Sequence, residues 1–277
     1  MMRIFISTDI EGLSGVSSWE WWKNNEKATT EILVRHLVPV IEVIKEYDDK
    51  AEIVIVDSHS KGENISVLDF SEKYSNIFLI NGFPRKDYMM SGFDNTYDGV
   101  IFVGYHSLIG GGGAMDHTYS SSSIYNIRVN GEPVGETAIN AAFAGEFDVP
   151  VMLVVGQKEM EWEMKRYLPD TVFVPVQEAV GRFATKNALL HDVDRSIRIG
   201  TEEAIMRMQK ALIKPFTFSS PIEVEIDWLS SSIADVVSQM PIMEKVSPRT
   251  TRYIVNNWVE GFRWLLSAVY MSYLGQR

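Results

Sequence analysis

The sequence predicts a three-layer α/β core built on a mostly parallel sheet, with a smaller α+β portion at its C-terminal side, and three observations carry that prediction. Short apolar runs rich in β-branched residues at 3–8, 52–57, 76–80, 98–104 and 149–155 read as buried strands. Between the first two, residues 26–46 place Ile32, Leu33, Leu37, Ile41 and Ile44 at helical spacing. Strand–helix–strand alternation then implies right-handed βαβ units, with helices on both faces of the sheet.

Taken in order, Pro39 falls within the first long helix and predicts a kink or early break there. Residues 123–129, the pair Asn130-Gly131 and residues 132–134 form a hairpin pattern, because Asn-Gly tolerates the positive φ angles of a tight two-residue turn. Helices follow at 135–147, 157–167 and 192–210, with a strand at 172–176. Strands near 221–228 and 252–256 and a closing helix at 258–274 complete the pattern. Residues 214–221, with two prolines and three Ser/Thr, make the best linker. The expected division is therefore a core at 1–156 and a C-terminal portion at 157–277 packed upon it.

The chain has 277 residues, with 26 Lys+Arg against 37 Asp+Glu and a formal charge of −11. That acidity argues against nucleic-acid and anionic-membrane partners, which call for a basic face. There is no cysteine, which excludes disulfides, thiolate nucleophiles and thiolate metal sites. The N-terminal residues lack the apolar segment of a signal peptide, and no apolar run has the length to span a bilayer, so the cytoplasm is the expected location.

In an open parallel sheet, ligands bind beyond the carboxyl ends of the strands. Thr8-Asp9-Ile10-Glu11-Gly12 follows the first strand, Asp57-Ser58-His59-Ser60 the second and Gly104-Tyr105-His106-Ser107 the fourth. His117 follows the run Gly110-Gly111-Gly112-Gly113, and Glu136 opens the helix after the hairpin. Each of these alone reads as a helix cap or turn residue, and Glu136 as an ordinary carboxylate of a first helical turn. Their coincidence at one sheet edge is what raises a two-metal site, on even terms with the bland reading. Trp19, Trp21 and Trp22 read equally as pocket wall, subunit contact or core edge, His36 as a core histidine, and the acidic stretch 159–163 as a solvated face.

In this order, the motifs resemble those of the zinc-dependent D-aminopeptidases encoded in dipeptide-transport operons. Asp9-Ile10-Glu11-Gly12-Leu13-Ser14-Gly15 is similar to that family's Asp-x-Glu-Gly-x-Ser-Gly, and Asp57-Ser58-His59-Ser60 to its Asp-Ser-His-Ser. Gly104-Tyr105-His106, Met115-Asp116-His117 and Asn130-Gly131-Glu132-Pro133-Val134-Gly135-Glu136 continue the resemblance, as do Asn140 and Asp148-Val149-Pro150-Val151. The resemblance implies two Zn²⁺ per subunit, with Asp9 shared and Glu11, His59, His106 and Glu136 as the other ligands. It implies His117 as the catalytic residue, short peptides with N-terminal D-residues of the D-alanyl type as substrates, and a homodecamer of two stacked five-membered rings. The sequence departs from the family at 19–30, which carries the tryptophans, and at Gly156-Gln157-Lys158, where Gly-Asp-Asp is usual. Besides a zinc aminopeptidase, the residues leave open a two-metal hydrolase of another amide or ester bond, a non-catalytic peptide-binding component and a structural ring-forming protein.

Overall fold

A computed structural model describes residues 1–70 and 73–276. Its seven-stranded sheet runs in the order β3-β2-β1-β4-β7-β8-β9, formed by β1 (Arg3–Thr8), β2 (Glu52–Asp57), β3 (Ile77–Ile80), β4 (Gly99–Tyr105), β7 (Val151–Gln157), β8 (Val172–Gly181) and β9 (Ala184–Asn187). All of its pairings are parallel except β8 with β9. A second, antiparallel sheet runs β11-β12-β10-β5-β6, from β5 (Ile124–Val129), β6 (Glu132–Pro133), β10 (Ile222–Trp228), β11 (Glu244–Ser247) and β12 (Thr250–Val255). The helices are α1 (Trp19–Asn24), α2 (Glu26–Tyr47), α3 (Glu136–Gly145), α4 (Glu161–Tyr167), α5 (Leu190–Gln209), α6 (Ser231–Val237) and α7 (Trp258–Ser272).

The parallel strands are apolar on both sides because both sides are covered. Ile4 and Ile6 of β1 join the core formed with Leu33, Leu37 and Ile41 of α2 and Ile197 of α5. Phe5, between them, faces the opposite core with Phe102 of β4, Ile226 and Trp228 of β10 and Phe262 of α7. Side-chain alternation along one strand thus feeds two separate layers. The expected α/β core is present, and residue 156 falls inside β7: the large sheet takes β8 and β9 from beyond it, and the small sheet takes β5 and β6 from before it.

The Asn130-Gly131 turn has φ of 52° and 82°, the positive pair that closes a two-residue hairpin. Of the kink or early break expected at Pro39, the break does not occur. The helix runs unbroken from Glu26 to Tyr47, with Pro39 buried, so packing of its apolar face outweighs the one missing N–H bond. Residues 214–221 are irregular as expected, yet they are tied down: Phe216 meets Tyr167 and Phe218 meets Trp258 at ring centroid distances of 5.4 and 4.7 Å. Gln157 closes a strand, where a helix start was expected. Among the described residues, no helix is long and apolar enough to cross a membrane.

Candidate metal centre

The loop after β1 crosses the last residues of β4 at the carboxyl edge of the large sheet. Asp9 N–H donates to the Val103 carbonyl and Gly12 N–H to the Gly104 carbonyl, each at 2.8 Å. A Cβ on Gly12 would lie 1.8 Å from the Tyr105 carbonyl oxygen, and one on Gly104 (φ +81°) 2.0 Å from the Asp9 carbonyl oxygen. Only glycine permits that approach, and it brings Asp9 and Glu11 beside His106.

Among the described residues, two triads could hold a cation: Asp9, Glu11 and His59, and His106, His117 and Glu136, with the donor atoms of each triad within 4.8 Å of one another. His59 Nδ1 lies 3.1 Å from both Asp9 Oδ1 and Glu11 Oε2. The other Asp9 oxygen, Oδ2, lies 3.6 Å from His106 Nε2, which is also 3.6 Å from Glu136 Oε1. Asp9 therefore faces both triads, one oxygen to each. His117 Nε2 is 3.8 Å from Glu136 Oε1, and its ring stacks on that of His106 at 4.3 Å. All six residues named in the sequence reading meet here, five of them buried and His59 half-buried.

The donor set suits a borderline cation such as zinc: nitrogen and carboxylate oxygen, with no thiolate. Two buried nitrogens, His59 Nε2 and His106 Nε2, have no hydrogen-bond partner. His106 Nδ1–H donates to the Ser107 carbonyl at 3.0 Å, so Nε2 is the ring nitrogen turned toward Asp9 and Glu136. His117 is held likewise, its Nδ1–H donating to the Met115 carbonyl at 3.0 Å.

Without a cation, the crowded carboxylates and imidazoles share protons. Burial opposes the charged forms of His59 and His106, but Glu11 and Asp9 around the first, and Glu136, Glu11 and Asp9 around the second, push both up to about 10. Burial also works against ionised Glu11 and Glu136, yet the surrounding imidazoles hold both below the ordinary range: His59 foremost for Glu11, His106 foremost for Glu136. Asp9 is raised well above it by burial and by the charges of Glu11 and Glu136. Burial, and then the charge on His106, lowers His117.

Supporting contacts surround this centre. Trp19 Nε1–H donates to Glu11 Oε1 at 2.8 Å, and Trp22 meets the His59 ring edge-on at 4.4 Å, so two of the three tryptophans belong to the pocket. Tyr119 N–H donates to Glu136 Oε1 at 2.6 Å. Gln157 Nε2 lies 3.0 Å from the Glu11 carbonyl and 2.7 Å from that of Ala114, joining the first loop to the one that carries His117. In the acidic stretch 159–163, Glu161 is exposed as expected, and Glu163 departs from the solvated role. Glu163 is buried and accepts from Gly135 N–H (2.9 Å) and Ala138 N–H (3.2 Å), capping the helix that begins with Glu136. Asp57 accepts from Asn64 and Ile65 and shapes the loop after β2, apart from the triads. His36 is a core residue, as expected: it accepts from Ser14 N–H, and burial lowers it to about 4.

The profile of the D-aminopeptidase family, peptidase family M55, matches residues 2–267. A D-aminopeptidase of Bacillus subtilis (strain 168) is 27% identical over 274 residues, with 96% of each chain covered. Among solved structures, the Zn-dependent D-aminopeptidase DppA from Bacillus subtilis, a self-compartmentalizing protease, has the same fold, with a TM-score of 0.87 at 24% identity and 98% of each chain covered.

Proposed function

The chain belongs to the D-aminopeptidase family, peptidase family M55, and on that premise we propose that it is a zinc-dependent aminopeptidase releasing N-terminal residues, D-residues above all, from short peptides. The observation that carries the zinc reading is the placement of Asp9 between two triads, one carboxylate oxygen toward each. In this reading Asp9 is shared by two ions, with Glu11 and His59 completing one site and His106 and Glu136 the other. Zinc, when bound, supplies a Lewis acid for the scissile carbonyl and for water.

The chain's own residues supply the rest. His117 is the catalytic residue in this account. Its Nδ1 proton is committed to the Met115 carbonyl, so Nε2 carries a free lone pair toward the pocket. Burial holds it below the ordinary imidazole range, which favours the neutral ring that can take a proton at Nε2 from the attacking water and pass it to the departing amine. Trp19 and Tyr119 hold one oxygen each of Glu11 and Glu136, limiting their rotation. The same reading takes the working form to be a cytoplasmic homodecamer of two stacked rings, supported by the self-compartmentalizing character of the Bacillus enzyme that shares the fold.

His117→Ala separates the two roles open to that imidazole, catalysis and metal binding. The variant is expected to keep both zinc ions in metal analysis while kcat falls by about 10²-fold or more. Loss of one zinc with the activity would make His117 a ligand. His106→Ala is expected to lose zinc, and an unchanged zinc content would refute the ligand set.

A further inference from the structure

The pocket over the triads has a volume of about 530 Å³ and is lined by Asp9, Glu11, His59, His117 and Glu136 on its polar side. The large apolar side chains of its other walls include Trp22 from α1, Phe83 and Tyr88 from the β3–β4 connection, and Leu266, Val269 and Tyr270 from α7, and Lys23 and Lys61 line it as well. Phe83 links two of these walls, meeting Tyr88 at 6.4 Å and Tyr270 at 5.6 Å between ring centroids. The Tyr88 hydroxyl is already engaged, donating to the Ser60 carbonyl. Phe83 and Tyr270 remain 46% and 36% exposed, so a sizeable aromatic surface faces the cavity without cover from the rest of the chain.

The cavity falls in the range of roughly 300–1,000 Å³ typical of small-molecule sites, and the methyl group of an alanine would leave most of its apolar wall in contact with water. An aromatic ring or a branched aliphatic side chain would cover that wall, with edge-to-face contacts available to each ring. We propose that this pocket receives a large apolar side chain, aromatic or leucine-like, from a residue flanking the scissile bond. The substrates it favours are then short peptides carrying such a residue, over peptides built of alanine alone. The inference rests on the aminopeptidase reading above.

The test is kcat/KM of the zinc-loaded, full-length protein on paired dipeptides, in D- and L-forms, with alanine, leucine or phenylalanine varied at each position in turn. A Phe or Leu peptide is expected to exceed its Ala counterpart by about 10- to 100-fold at one of the two positions, chiefly through KM. Phe83→Ala combined with Tyr270→Ala is expected to cut that ratio several-fold; both rings are partly exposed, so their truncation leaves the core intact. Ratios at or below one at both positions, or a ratio unmoved by the double variant, would overturn the proposal while peptide turnover leaves the aminopeptidase reading standing. No turnover of any peptide would defeat both.

Discussion

Asp9, Glu11, His59, His106 and Glu136 form a site in which carboxylates and imidazoles share protons when no cation is bound. His59 and His106 are both pushed up to about 10 by the carboxylates around them, so at pH 7 the metal-free site carries protons where cations would sit. An imidazole must lose its proton to become a ligand. Zinc binding at pH 7 is therefore expected to release about two protons from these imidazoles, and affinity should fall as pH is lowered. Calorimetry in buffers of different ionisation enthalpy reads this directly, and buffer-independent heats would refute it. These residues were legible in the sequence because each follows a recognisable strand, turn or helix start. Trp19, Gln157 and Glu163 were less so. Trp19 reaches Glu11 only through the path of the loop before α1, and Glu163 finds its partners, Gly135 and Ala138, on a helix far away in sequence. No local pattern encodes such contacts.

Between elements, the decisive contact is the crossing of the loop after β1 over the end of β4. Gly104→Ala places a Cβ about where the Asp9 carbonyl already lies, at a φ of +81° that an L-residue disfavours. The variant is expected to lose at least about 3 kcal/mol in denaturant unfolding and to bind zinc weakly, because Asp9 must move. Near-native stability with full zinc content would show that the crossing does not position the site. The parallel strands were readable because a strand buried on both faces is a continuous apolar run. α1, α6, β9 and β11 were not, being short segments of 6, 7, 4 and 4 residues whose form is set by neighbours. The intact helix through Pro39 is the converse case, with tertiary burial overriding a local breaker.

Across the whole molecule, the architecture divides labour between the two sheets. The parallel sheet delivers Asp9, Glu11, His59 and His106 of the triads from the ends of β1, β2 and β4, while the antiparallel sheet backs the opposite core and α7 closes the pocket. That the chain's two halves exchange strands was hidden from the sequence, since pairing between β5 and β10 joins residues about a hundred positions apart. In solution, light scattering is expected to give ten times the 31.4 kDa of one chain; a monomeric mass would contradict the ring assembly. The central claim, zinc-dependent aminopeptidase chemistry, is tested most directly by following release of the N-terminal residue from D- and L-dipeptides. The protein would be stripped with a chelator and then assayed with and without added Zn²⁺. Turnover that vanishes on stripping and returns with zinc, favouring peptides with an N-terminal D-residue, is the predicted result. Zinc bound at both triads with no peptide hydrolysed would contradict the account.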